Sequence, residues 1–250
     1  MFRRDSIQMM VPLLLITALL LAGPAVAGED EATAENPWES SLGFSFVSTS
    51  GNSDTQTIGL DFAVTRKPQP WGLDAGAYYL KSENNGDTTA ERYGARLRGE
   101  RALSERWSLW TGISGEHDAF AGYDMRAIVG AGAKYIALAG PTHELSFDGG
   151  LTWTSEDLIG VEDRDFLGGL LGLDWAWHPS EGTTIGERLV WFPNFDESSD
   201  WRLRSETSIE ASLSSKFALK LGYLLRYDND PVPGFDETDT TTTISLVVKF

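Results

Sequence analysis

Three histidines bound the catalytic chemistry open to this chain of 250 residues. His117 stands directly before Asp118, the start of an Asp and His arrangement of the kind a protease uses. His178 stands two residues before Ser180, a spacing a hydrolase could use. Either enzyme needs a nucleophile, a His beside it and a polar group that orients the His, all in one place. The strand pattern described below sends His143 and His178 to turns at one end and His117 to the other end, where it reads as a solvated rim residue. We therefore expect no catalytic residues and no enzyme, with a lipid hydrolase or protease as the distant alternative.

Carboxylates offer a second chemistry. Asp228, Asp230, Asp236, Glu237 and Asp239 crowd the last connecting segment, and hard cations such as calcium take oxygen ligands. Their spacing departs from that of the EF-hand loop, so a solvated acidic loop is the expectation and no cofactor is assigned. The bias extends to the other connections on the same side. Asp54, Glu83, Asp87, Asp118, Asp124, Glu156, Asp157, Glu162, Asp163, Asp196, Glu197 and Asp200 face essentially one base there, Arg164. Such a rim would concentrate divalent cations, and through them could bridge to phosphates of surrounding lipid. A protein adapted to a saline habitat would carry the same surface.

The elements that position these groups are extended. Phe217, Leu219, Leu221, Tyr223, Leu225 and Tyr227 alternate with Ala218, Lys220, Gly222, Leu224 and Arg226, the period of two that places side chains on opposite faces of a strand. A helix would scatter the same apolar residues around its circumference. Twelve such segments are expected, at about 38–47, 55–66, 71–82, 88–101, 106–117, 124–137, 142–155, 164–178, 183–194, 201–213, 216–228 and 238–250. The ninth is the least regular, because adjacent Glu187 and Arg188 cannot share a face. Short turns at 102–105, 138–141, 179–182 and 214–215 alternate with longer polar loops at 48–54, 83–87, 118–123, 156–163, 195–200 and 229–237, a hairpin meander.

Residues 1–27 carry Arg3 and Arg4, an apolar stretch over 9–22 and the small-residue sequence Ala25-Val26-Ala27, which together read as a cleaved signal peptide of an exported protein. Residues 28–37 read as a disordered acidic lead-in, leaving one barrel domain over 38–250. The whole chain has 20 basic and 37 acidic residues, and losing Arg3, Arg4 and Asp5 takes its net charge from −17 to −18. That balance excludes nucleic-acid binding. There is no cysteine, so stability must come from packing and backbone closure.

Three features set the sign of the alternation. The segments are long enough for tilted membrane strands. Aromatic residues on the apolar face fall near strand ends, with Trp71 and Tyr79 spaced by roughly 20 Å at a tilt of about 40°. Short turns alternate with longer loops, as in outer-membrane barrels. The apolar face is then turned to lipid, with two girdles: Trp71, Trp107, Tyr135, Phe217 and Phe250 at one level, Tyr79, Trp153, Trp201 and Tyr227 at the other. The polar face lines a lumen bearing Asp61, Asp74, Arg96, Arg98, Glu100, Glu116, Arg126, Lys134, Asp148, Asp174, Arg202, Arg204, Glu206, Glu210, Lys220 and Arg226. Backbone groups in lipid must all be paired, so the sheet must close, first strand on last. The expected fold is all-β: a transmembrane antiparallel up-and-down β-barrel of twelve strands in a bacterial outer membrane, surrounded by lipid and lipopolysaccharide. Mixed charge and short loops favour a filled or very narrow lumen.

The final strand, Thr238 to Phe250, resembles the terminal strand of bacterial outer-membrane barrels, which the barrel-assembly machinery reads during insertion. Further segments resemble the bacterial family of salt-induced outer-membrane proteins, a family built on a domain of unknown function. They are Gly51-Asn52-Ser53-Asp54-Thr55 with Thr57-Ile58-Gly59-Leu60, Leu103-Ser104-Glu105-Arg106-Trp107, Glu116 with Asp118 to Phe120, Gly130-Ala131-Gly132-Ala133-Lys134-Tyr135, and Tyr227 to Asp230 leading into Pro231, Pro233 and Gly234. The resemblance implies an envelope barrel linked to salt or osmotic stress and brings no catalytic residues. The alternative expectation is a narrow, cation-preferring small-solute pore.

Overall fold

The computed structural model describes residues 37–49 and 55–250. The signal peptide, the lead-in apart from Pro37, and the Gly51 to Asp54 segment lie outside the described residues. Twelve strands follow one another: β1 (Trp38–Thr49), β2 (Thr55–Arg66), β3 (Trp71–Asn84), β4 (Asp87–Ala102), β5 (Trp107–Asp118), β6 (Tyr123–Ala139), β7 (His143–Leu158), β8 (Arg164–Ser180), β9 (Thr183–Pro193), β10 (Trp201–Ser212), β11 (Phe217–Asp228) and β12 (Thr238–Lys249). Each pairs antiparallel with its sequence neighbours, and β1 pairs with β12, so the sheet is a closed barrel. Closure abolishes the free edges that would otherwise template aggregation.

The closing seam is short. β1 meets β12 only from Ser41↔Lys249 to Phe44↔Leu246, extended by Phe250 donating its amide to the Ser40 carbonyl at 3.1 Å, whereas β1 and β2 pair from Trp38↔Arg66 to Thr49↔Thr55. Strands β1, β3, β4, β6, β7 and β8 run longer than expected, and β9 to β12 are each a residue shorter. β7, expected to stop near residue 155, continues in phase to Leu158. One expected loop is a tight turn: the segment placed at 83–87 closes on Asn85 (φ 51°) and Gly86 (φ 87°), both left-handed, as a two-residue hairpin requires.

The wall is inside out relative to a soluble barrel. Leu42, Phe44, Leu60, Leu97, Ile113, Leu151, Leu171 and Ile244 are exposed on its outer face. The side chains most enclosed are Tyr123, Glu156, Thr154 and Asp200, three of them polar, inside the barrel. The nine girdle aromatics all lie on the outward phase, with Trp107 and Tyr135 rings 4.8 Å apart at one end and Trp201 and Tyr227 5.1 Å apart at the other.

Candidate functional site in the barrel lumen

Period two sends all sixteen expected lumen charges inward, and the half of the lumen nearer the long loops is crossed by them. Two carboxylates act as hubs. Glu156 on β7 is fully enclosed; Arg126 Nε (2.5 Å), Arg164 Nε (2.7 Å) and Arg202 Nη1 all donate to it. Arg164 also lies 3.4 Å from Asp200, which accepts from Asn194 Nδ2 at 2.8 Å. Glu116 on β5 accepts from the Tyr78 and Tyr123 hydroxyls, the latter at 2.6 Å, with Arg226 at 3.8 Å and Arg204 at 4.0 Å. Arg226 on β11 joins Asp118, Asp239 (3.2 Å) and the Tyr123 hydroxyl (3.1 Å).

These bonds span the barrel, because β5 and β11 stand half a circuit apart in the strand order. A circular twelve-stranded barrel, with strands about 4.8 Å apart and tilted about 40°, would hold opposite backbones about 24 Å apart. Arg226 could not reach Glu116 or Asp118 across that distance, so the cross-section here is oval. The connecting loops complete the closure. Gly122 (φ 88°) sits so close to Val232 and Phe235 that a β-carbon would fall 2.9 and 3.0 Å from them, which locks the β5–β6 turn under the β11–β12 loop. On the rim, Ser199 donates its hydroxyl and amide to Glu197 and holds that carboxyl below the usual range.

Toward the short turns the lumen opens. A cavity of about 1060 Å³ is lined by Asp61, Asp74, Glu100, Lys134, Asp174 and Lys220 among others. A second, of about 320 Å³, lies above it and continues past the Glu116 hub to Pro231, Asp236 and Glu237 of the last loop; Arg96, Arg98, Arg188, Arg204, Glu206 and Tyr78 line both. Glu210 of the expected set pairs with Lys249 at 2.5 Å.

Several expectations are corrected. Asp118, Glu156 and Asp200 are not solvated loop acids: the strands carry Asp118 and Glu156 into the lumen, all three are buried, and all three pair with arginine. Arg164, the expected lone rim base, belongs to the Glu156 hub. The five carboxylates of the last loop are dispersed. Asp228 lies 3.8 Å from Arg126, Asp239 accepts from Arg226, and Glu237 accepts from the Tyr227 hydroxyl at 3.3 Å. Among the described residues no three acidic or histidine side chains gather as a metal site. His117 and Asp118 point to opposite faces: His117 stacks on Tyr93 outside, ring centroids 4.6 Å apart, and contacts the Asp124 carbonyl at 2.5 Å. His178 contacts the Thr184 hydroxyl at 3.1 Å. In β9, Arg188 points inward to Asp174 (3.5 Å), and Glu187 points outward to accept from Ser205 (2.7 Å) and Thr207 (2.5 Å).

The model of a family described as "Protein of unknown function, DUF481" matches residues 42–250. The chain belongs to that DUF481 family. A relative in Escherichia coli K12, the uncharacterized protein YdiY, is 25% identical over 222 residues, covering 87% of this chain and 85% of YdiY. Among solved structures, an outer-membrane channel from Pseudomonas putida F1 superposes with a TM-score of 0.53 at 12% identity, covering 91% of this chain and 100% of that one. The NanC porin superposes with a TM-score of 0.47 at 9% identity, covering 85% and 97%. The Pseudomonas structure shares the fold of this DUF481 chain, and the barrel resembles outer-membrane proteins.

Proposed function

We propose that this DUF481 protein is an outer-membrane envelope barrel whose lumen is open to the periplasm and shut toward the outside by its own ion pairs, with a role under salt or osmotic stress. The observation that carries this reading is the pair of carboxylate hubs, Glu156 and Glu116, bridged across the oval lumen by arginines from β6, β8, β10 and β11. Charges taken from water are held rigidly when they are ion-paired, and each of these arginines is, although the Arg226 Nε is buried without a partner. Such a brace suits a barrel that must keep its shape when ionic strength changes outside, since buried pairs are screened far less than exposed ones. A hydrolase is disfavoured, because the His117 and Asp118 side chains lie on opposite faces of the wall. The acidic groups left on the rim, such as Asp163, Asp196 and Glu197, are the ones that divalent cations and lipopolysaccharide would meet.

Sidedness tests the reading. The chain has no cysteine, so Lys134→Cys introduces a single thiol into the wide cavity. In vesicles of known orientation, a membrane-impermeant thiol reagent should modify it from the periplasmic face only. Equally fast modification from the outer face would overturn the reading. A narrow solute pore is the second reading, favoured by the shared lining of the two cavities and by the reach of the smaller one to Pro231, Asp236 and Glu237; it predicts modification from both faces.

A further inference from the structure

The smaller cavity is lined by two kinds of surface that together define a ligand. On β5, β6, β8 and β9 its wall carries Trp110, Ile128, Leu170, Val190 and Phe192, with Thr152 of β7 among them. Room for this wall is made by glycine. The Trp110 indole lies over Gly150 and Gly130, where β-carbons would fall 2.5 and 3.3 Å from its ring, and it donates to the Ala133 carbonyl at 3.3 Å. Where this cavity joins the wider one, Arg96, Arg98, Arg188 and Arg204 come from β4, β9 and β10.

Each of these arginines is fixed by carboxylate: Arg96 by Asp74 (2.8 Å), Arg98 by Asp148 (2.5 Å) and Glu100 (3.5 Å), Arg188 by Asp174 (3.5 Å), Arg204 by Glu206 (2.9 Å). A guanidinium carries five N–H donors, and these pairs use only part of them. The Arg98 Nε is buried with no partner at all. Asp74, Glu100, Asp148 and Asp174 do not line the smaller cavity; of the acids paired with these arginines Glu206 and Glu116 do, against the four guanidinium groups. Guanidinium donors left over from these pairs are what an anion would take.

We infer that this cavity is a binding site for a small organic anion, a carboxylate or sulfonate with an aromatic or short aliphatic body, entering from the periplasm. The charged head sits among the four arginines and the body against Leu170, Val190 and Phe192, while Arg98 itself covers the Trp110 ring, 4.7 Å from the ring centroid. The volume of about 320 Å³ is at the lower end of ligand pockets and limits the occupant to a small molecule. The route of entry rests on the proposed function, whereas binding itself does not. Sidedness and closure are measured without ligand, so a failure of either idea leaves the other standing.

The test is fluorine NMR with 4-(trifluoromethyl)benzoate added to the full-length protein in nanodiscs, with 4-(trifluoromethyl)benzyl alcohol as the uncharged control. The benzoate should broaden saturably and the alcohol should bind at least about tenfold more weakly, the worth of one charge-assisted hydrogen bond. Arg188→Gln, at a partly exposed pair, should weaken the benzoate by about the same factor. Leu170→Trp, which fills the cavity and leaves the arginines in place, should abolish binding. Absent or non-saturable broadening would overturn the inference, as would equal binding of the alcohol, or saturation unchanged in both variants.

Discussion

Removing the Glu156 carboxylate should destabilise the barrel by about 3 kcal/mol, and the partners of each arginine show why. Glu156→Ala leaves three guanidinium groups without their shared acceptor. Arg164 keeps Asp200 at 3.4 Å and Arg126 keeps Asp228 at 3.8 Å, but Arg202, only 8% exposed, has no other carboxylate within pairing distance among the described residues. One uncompensated buried charge costs about 3–5 kcal/mol, and re-pairing of the other two keeps the loss near the lower figure. Urea unfolding in lipid bilayers reads this loss directly. The double variant Glu156→Ala/Arg202→Met removes the stranded charge as well, and should recover at least half of it. If Glu156→Ala unfolds like the wild type, or the double variant is no more stable than the single one, the ion-pair account of the closed lumen is wrong.

Three other outcomes follow from the wall. Gly132→Ala would place a β-carbon 2.1 Å from the Gly149 carbonyl oxygen and should cost about 1–3 kcal/mol, whereas Gly99→Ala, with nothing within 4 Å, should be neutral or slightly stabilising in the same unfolding assay. Leu151→Arg, on the lipid face at a side chain 60% exposed, should cost about 2–4 kcal/mol in bilayers, and a loss under about 0.5 kcal/mol would mean that this face does not meet lipid. Because the β1–β12 seam pairs over so few residues, an oxidised Leu42→Cys/Val248→Cys pair, at directly opposed positions, should raise the urea midpoint. An unchanged midpoint would show that unfolding does not begin at the seam.

Much of the architecture was legible because β-barrel strands write their orientation into alternate residues. Phe217 to Tyr227 announces both faces of β11, and the same phase places Arg226 and Lys220 in the lumen without knowledge of any partner. The phase was lost where outward residues are also polar. At the outer end of β7, Ser155 and Asp157 flank Glu156, so no apolar alternation shows that the strand continues, and the most enclosed carboxylate in the barrel reads as a loop acid. Asp118 is hidden in the same way at the end of β5. The Asn85-Gly86 turn did carry a signal, since both residues tolerate left-handed backbone, but the polar residues around it suggested a longer loop. What no single strand could reveal is register. The glycines that admit Trp110 come from β6 and β7, and the smaller cavity exists only because these strands align with β5.

Closure of the lumen is tested most directly by single-channel recording of the purified protein in planar bilayers, wild type beside Glu156→Ala. The braced lumen predicts no steady conductance for the wild type and a measurable increase when the Glu156 hub is removed. Steady, porin-sized conductance of the wild type, unchanged in the variant, would contradict it.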